Sequence, residues 1–600
     1  MYDYAIVHLF YTIPLAIALS IILGPLLTRR DIYKICFLQI VSVSYTIPWD
    51  SYLIRTRIWT YPPDVIIGPT LLDIPAEEVF FFHIQTYITT CLQILLNKSV
   101  LVATYLHNEA DPGNPVGKSL LLGKRAGQVL LAVLALGPFL LREGPKEGQY
   151  LRLILAWACP VMFMLWTFCY KLLLGLPWTK TWLPIAAPTF YLWVVDTLAL
   201  RRGTWSIELG TKLGIHVWPH LEIEEAVFFL LTNTLIVWGS TAFDNAMAIL
   251  DAFPKHFTVV PGIPSPILMF KALFLPTSRY DTARLEGLQN ALTVLAKKSR
   301  SFYLASGVFA GRLRIDLILL YAFCRVADDL IDDAPSVEEA DKWVQHFTRF
   351  LDVAYSSKHD HDRLQASLEP FPEKAQSILE LLPTDKLPPG PLYSLLDGFR
   401  MDMRFFGKGS KDEPPIQTFA DLERYASCVA GTIGELCLNL VYYHDPDGGT
   451  PAKVKHSCLT AGFQMGRALQ YVNIVRDVKS DAEVGRCYIP SEWFDKSIET
   501  SPTAQSAEIL RFRGQILDTA FKIYAENRDA IERLPYYARG GIRVAVESYM
   551  EIGRVMRERM RRGQPLDFAG SGKKGRASVP KSRRIRVGWW TMMGWRGPAW

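Results

Sequence analysis

Up to about residue 243 the chain alternates apolar runs of membrane length with short polar joints, and no other feature restricts its fold as strongly. A segment inside hydrocarbon must satisfy its own backbone, so single runs of about 20 apolar residues are read as helices. Seven such runs lie at 5–27, 32–49, 76–96, 121–141, 151–174, 182–200 and 222–243, the fourth interrupted by Lys124 and Arg125. The first is too long for the core of a secretory signal, and its basic cluster, Arg29, Arg30 and Lys34, follows it. It is expected to remain as a span with its C-terminal end in the cytosol, and an odd number of spans then delivers everything after residue 243 to the same side.

From about residue 284 the pattern changes to amphipathic helices with polar faces, broken by loops such as "EPFPEK" and "LLPTDKLPPGP". The expected fold class is therefore all-α, a polytopic membrane domain (1–243) fused to a soluble helical domain (284–570). Residues 244–283, rich in Pro, Phe and Leu, read as a linker against the bilayer, and 571–600 as a basic, Trp-containing tail. Six hundred residues exceed one hydrophobic core. Nine cysteines without ligand spacing, among them Cys36, Cys91, Cys159 and Cys169 in apolar runs, read as reduced, buried small hydrophobes rather than a zinc site or disulfides. A net charge of +6 is small for this length, and the basic residues form no stripe with aromatics before the last thirty positions, so nucleic acid is not an expected partner.

The membrane half repeats itself. "PAEEVFFFHIQ" and "EIEEAVFFLLTN" place Glu77–Glu78 and Glu224–Glu225 at the heads of apolar runs, 147 residues apart. Asp50 matches Asp196, and in each copy a tryptophan, Trp59 or Trp205, follows nine positions later. Repeats of this size commonly frame a site at their interface. One carboxylate at a helix start needs no more than the helix dipole, about 0.3–1 kcal/mol. Two acids per copy, beside an aspartate and opening onto Phe-rich faces, cannot all ionise in a poorly hydrated place, so at least one should hold a proton and serve as a Brønsted acid. The two copies resemble the paired repeats of the small membrane lycopene cyclases of some bacteria, archaea and fungi. That resemblance implies protonation of the terminal double bond of a linear carotene, ring closure on the tertiary cation and loss of a proton, without net redox change. Glu78 and Glu225 are then the first-rank acid/base candidates, with Glu77, Glu224, Asp50 and Asp196 tuning or relaying protons. The sequence does not say which of them donates.

The soluble half carries two aspartate pairs at helical spacing, Asp328/Asp332 in "YAFCRVADDLIDD" and Asp477/Asp481 in "QYVNIVRDVKSDAEVGRCYIP". Residues four apart share a helix face, and two carboxylates there suit Mg²⁺ (or Mn²⁺), which keeps waters and recruits phosphate oxygens. Arg325, Arg476 and Lys479 stand a turn or less away. A lone pair of acids would be ordinary solvated surface; two copies, each in an apolar helix beside an arginine, are not. With "SRSFYLASGVF" and "YASCVAGTIGELC", these motifs resemble squalene and phytoene synthases over roughly 290–565. The resemblance implies that Asp328, Asp332, Asp477 and Asp481 hold Mg²⁺ and the diphosphates of two prenyl donors. It places Gln470 and Asn473 near the metal, Arg300, Arg325 and Arg476 on diphosphate, and Phe302 and Tyr303 beside the reacting carbons. Asp402, in "GFRMDMRFF", falls in a further family segment.

The order of the halves resembles the fused lycopene cyclase/phytoene synthases of carotenoid-producing fungi. It implies that geranylgeranyl diphosphate is condensed to phytoene by one half and lycopene is cyclised to γ- or β-carotene by the other, a separate carotene desaturase acting between them. No Gly-rich dinucleotide fingerprint is present and no redox cofactor is expected. The expected location is the endoplasmic reticulum or a related endomembrane, with the synthase half cytosolic. Two rival readings compete with this one: a squalene-synthase-like enzyme on an inert anchor, which the repeated acids disfavour, and a retinal-binding seven-helix sensor, for which residues 222–243 lack a lysine. The tail divides between a solvated, disordered segment and contact with an anionic membrane through Trp589, Trp590, Trp595 and Trp600.

Overall fold

The computed structural model describes residues 3–62, 64–108, 115–140, 146–208, 210–356, 361–406, 414–445, 448–494, 507–566 and 579–598. The chain forms two compact units, Met1–Leu285 and Glu286–Trp600. Both are all-α; the strands among the described residues are short pairs in the first unit.

Six helices of the first unit are long and apolar enough to cross a membrane: Asp3–Leu26, Ala76–Asn97, Lys118–Leu140, Gln149–Gly175, Leu183–Arg202 and Ile223–Ala252. The expected span 32–49 lies in the 27-residue helix Arg29–Arg55, long enough to cross but too rich in polar residues to count by composition. A capping box starts this helix: the Asp31 N–H donates to Thr28 Oγ1 and the Asp31 carboxylate accepts from the Thr28 N–H. The interrupted run, by contrast, does form an apolar helix. Its Lys124 ammonium sits 4.9 Å from the centre of the Tyr170 ring, which accommodates the charge. Leu122, Val129, Leu130, Val133, Leu136 and Phe139 all point outward from this helix. In water each would forgo roughly 1.5–3 kcal/mol of burial, a cost that lipid removes.

The last of these helices does not stop near 243 but runs to Ala252, with Ala246, Ile249 and Leu250 buried. Its two late aspartates are tolerated because Lys34 meets Asp244 at 2.9 Å and Arg30 meets Asp251 at 2.6 Å. Part of the expected linker is thus helix, and Pro266–Leu273 forms a further short helix packed against it. Cys36 departs from expectation too. It faces outward, while Cys91, Cys159 and Cys169 are buried.

The repeat is visible as an approximate two-fold axis. Strands Trp59–Thr60 and Ser206–Ile207 pair antiparallel, and Thr60 stands opposite Ser206, its own counterpart one repeat later. Along the same axis Gln85 donates to Thr232 (3.0 Å), again its counterpart, and below it Thr89 donates to Asn233 (2.7 Å) and Gln93 to Thr241 (3.1 Å). This buried polar ladder joins Ala76–Asn97 to Ile223–Ala252 where apolar contact alone gives little preference for one helix neighbour over another. Each glutamate helix is entered from a tight hairpin, Thr70–Leu71 with Ile74–Pro75 and His216–Trp218 with Leu221–Glu222. The first turns through Leu72 and Asp73, both at positive φ, a conformation costly for leucine.

The second unit packs its helices around a cavity. Two glycines let the chain between Ser427 and Tyr443 press against the Ala452–Glu483 helix: a Cβ on Gly434 would lie 2.3 Å from the Gly462 carbonyl oxygen, and one on Gly466 2.2 Å from that of Ala430. The described part of the tail departs from a disordered segment. Lys581–Met592 is a helix packed on Tyr536–Arg561. The reason is electrostatic as well as apolar: Arg583 binds Glu551 (2.5 Å) and Glu558 (2.7 Å), and Arg543 donates to the Thr591 carbonyl. Trp590 and Trp595 remain partly exposed, and Trp600 lies outside the described residues.

Candidate active sites

In the first unit the hairpins set the glutamates at the first turns of two helices, and the ends of two others, Arg29–Arg55 and Leu183–Arg202, bring Asp50 and Asp196. All six carboxylates are buried, Glu224 and Glu225 completely. They divide by partner. Glu77 accepts the Ile67 N–H at 2.6 Å and Glu224 the Leu213 N–H at 2.7 Å, so each ties its loop to its helix. Glu78, Asp50, Asp196 and Glu225 instead converge. Asp50 and Asp196 each lie within electrostatic reach of Glu78, and Glu225 within reach of Asp196 and Glu78. The two copies therefore build one carboxylate layer, not two sites.

The groups that hold this layer are hydroxyls and an indole. Tyr4 and Tyr61 (2.8 Å) both donate to Glu78 Oε2, and Trp205 donates to Asp196 Oδ1 at 3.1 Å. The Tyr150 hydroxyl neighbours Glu225. One oxygen each of Asp50 and Asp196, and both of Glu225, are buried without a well-formed hydrogen bond among the described residues. Against the layer lies a pocket of about 20 Å³ walled by Tyr4, Trp59, Phe81 and Phe228.

In the second unit a cavity of about 550 Å³ is lined mainly by apolar and aromatic side chains, with Asp328, Asp477 and Asp481 at its polar part. Arg325, Phe302, Gln470 and Asn473 also face it. Three expected residues do not. Asp332 is drawn to Arg486 (2.8 Å), Arg476 is engaged by Asp477 (2.6 Å) and Asn473, and Tyr303 points elsewhere on its helix. The Arg300 side chain lies outside the described residues. Phe302 stacks on Tyr549 at 5.3 Å, forming an aromatic wall.

The electrostatics favour a cation. Burial pushes the Asp328 carboxyl up to about 6, with the charge of Asp332 adding to it against Arg325, 2.7 Å away, and Arg486. Burial likewise raises Asp402 to about 7 although Tyr488 (2.7 Å) and Tyr425 (3.0 Å) donate to it. Among the described residues no group of three His, Cys, Asp or Glu is close enough to hold an ion alone. The acids fit a metal whose remaining ligands are water and substrate phosphate.

A bifunctional lycopene cyclase/phytoene synthase of Gibberella fujikuroi is 49% identical over 98% of this chain and 99% of its own length. Proteins of the same description from Phaeosphaeria nodorum and Neurospora crassa are 49% and 46% identical, each over 98% of this chain and 99% and 98% of their own. The chain belongs to the bifunctional lycopene cyclase/phytoene synthases. Residues 295–583 match the squalene/phytoene synthase family. Among solved structures, a dehydrosqualene synthase in complex with ligand aligns with 52% of this chain and 96% of its own at 20% identity and a TM-score of 0.39.

For a member of this family the structure adds residues that sequence reasoning passed over. Tyr4 and Tyr150 carry a readable signal: they stand 146 apart, as Asp50 and Asp196 do, and both donate their backbone N–H at 3.2 Å to a loop carbonyl, Val65 and Thr211. Arg486 and Tyr488 sit inside the second aspartate motif and Tyr425 opens another. Tyr61 has no such signal, because its counterpart in the second copy, position 207, is isoleucine.

Proposed function

We propose that the protein catalyses two separated steps of carotene synthesis, condensing two molecules of geranylgeranyl diphosphate to phytoene in the second unit and cyclising lycopene in the first. The observation that carries the cyclase half is the convergence of Glu78, Asp50, Asp196 and Glu225 from both copies onto one layer. One of Glu78 and Glu225 delivers H⁺ to the terminal double bond, and the neighbouring double bond attacks the tertiary cation to close a six-membered ring. A carboxylate of the same layer takes the proton released. The aromatic walls Trp59, Phe81 and Phe228 keep water from the cation and stabilise it through their π faces. Glu77 and Glu224 act as supports that hold the loops in place.

In the synthase half Asp328 and Asp332 on one helix and Asp477 and Asp481 on another hold Mg²⁺, which when bound makes diphosphate a better leaving group. Arg325 and Arg486, which line the cavity beside Asp328 and Asp332, would bind diphosphate oxygens. Phe302, Tyr321 and Tyr549 border the allylic cation and the apolar cavity excludes water from it. On this reading the first unit lies in the bilayer of the endoplasmic reticulum; the basic cluster at Arg29, Arg30 and Lys34 favours a cytosolic end for the first span, and seven crossings, Arg29–Arg55 included, then leave the second unit on that side. On this reading a separate carotene desaturase supplies lycopene from phytoene.

The test is the pigment content of bacteria that accumulate lycopene and express the full chain. Wild type should yield cyclic carotenes, and Glu78→Gln or Glu225→Gln should leave lycopene. In bacteria that accumulate geranylgeranyl diphosphate the same two variants should still make phytoene, whereas Asp477→Asn should not. Persistence of lycopene with well-expressed wild type would sink the cyclase assignment.

A further inference from the structure

A second cavity of the first unit, about 480 Å³, has no role in the acid chemistry above, yet it begins where that chemistry ends. It lies between Arg29–Arg55, Ala76–Asn97, Gln149–Gly175 and Ile223–Ala252, and its far end is walled by Met269, Phe270 and Leu273 of the Pro266–Leu273 helix. Phe228, one turn beyond Glu225, lines both this cavity and the small pocket that holds Glu78 and Asp196. From there one face of the Ile223–Ala252 helix follows the cavity through Thr232, Gly239 and Phe243 to Ala246. That is 18 residues of helix, about 27 Å.

The cavity is a groove for something long, apolar and flat. Its lining is overwhelmingly hydrocarbon, and near Phe228 it carries Trp157, stacked on Trp49 at 4.6 Å and on Tyr45 at 5.6 Å. Both copies contribute to its wall: Gln85 and its counterpart Thr232 face the same cavity.

We propose that this groove is the binding site for the unreacting length of the linear carotene, whose terminal unit passes Phe228 to reach the carboxylate layer. The inference rests on the cyclase reading and adds a site to it. The groove sets the chain length the enzyme prefers: a polyene long enough to reach Ala246 and the Pro266–Leu273 helix gains contacts that a shortened one lacks.

The test compares lycopene with an apo-lycopenal that keeps one intact terminal unit but is cut short of the far wall, both presented to the full chain in membranes. Ala246→Trp fills the far end, and the ratio of kcat/KM for lycopene over apo-lycopenal should fall by about tenfold or more, as expected for overpacking. An unchanged ratio overturns the proposal. If that variant has neither activity, Phe270→Ala decides, because Phe270 is half exposed on a surface helix and its loss leaves the bundle intact. There the KM for lycopene should rise several-fold more than that for apo-lycopenal, and an equal change in both overturns the groove. A wild type that converts neither substrate defeats the cyclase reading and the groove with it, whereas a wild type active on both with an unmoved ratio in each variant defeats the groove alone.

Discussion

Both units gather aspartates and glutamates around an apolar space, but they give them opposite company. In the first unit the partners are tyrosine hydroxyls, a tryptophan N–H and other carboxylates. In the second, Asp328, Asp332 and Asp477 each face a guanidinium. A carboxyl group among hydroxyls and its own kind is suited to carry a proton, because a second charge beside the first is costly. A carboxylate that faces arginine already sits where a cation is favoured and can exchange that partner for a metal. The same side chain thus serves as an acid in one unit and as a cation clamp in the other, and the neighbours decide which.

Chelation should break the two units apart most sharply. With EDTA in excess, phytoene formation should be abolished while lycopene cyclisation by the same preparation continues; loss of both would mean the carboxylate layer also depends on a metal. Next in size is Tyr4→Phe, which removes a hydrogen bond to Glu78 and should slow cyclisation about tenfold to a hundredfold, the range for a hydrogen bond to a charged group. Phytoene output should be untouched, and rates from purified membranes would check both.

A third comparison uses pH. Because Asp328 titrates near 6, protons compete with Mg²⁺ below that value and not above it. The Mg²⁺ concentration for half-maximal phytoene formation should therefore be flat from pH 8 to 7 and rise as pH falls through 6, by up to about tenfold per unit for a single proton. A flat profile down to pH 5 would remove Asp328 from the metal site. The smallest effect is expected from Leu72→Gly in the hairpin before the first glutamate helix. Glycine adopts the positive φ freely, so the variant should be more thermostable by up to about 1 kcal/mol, as read by thermal unfolding in detergent, with activity retained.

Much of this was legible before the structure. The apolar runs and the change near residue 284 follow from composition, and both aspartate pairs follow from helical spacing. Partners were harder to read. Arg486 reaches back to Asp332 from 154 positions away, and a helical pattern says which residues share a face but not which faces meet. The polar residues of the Arg29–Arg55 helix are a similar case, since they are held by contacts such as Lys34 with Asp244 that no single run reveals. The order in the tail was hidden for the same reason: Arg583 lies against Glu551 and Glu558, which a charge run does not reveal.

Thr60 lies against Ser206, and each is the other's counterpart. A contact of that kind is self-complementary, the form that two identical subunits use when they meet. The first unit is in this sense a dimer written on one string, and its carboxylate layer is the subunit boundary. Neither half should do anything alone. Two fragments divided between the copies and produced together should find each other through the Gln85–Thr232 ladder and recover cyclisation, so the covalent link supplies stoichiometry rather than chemistry.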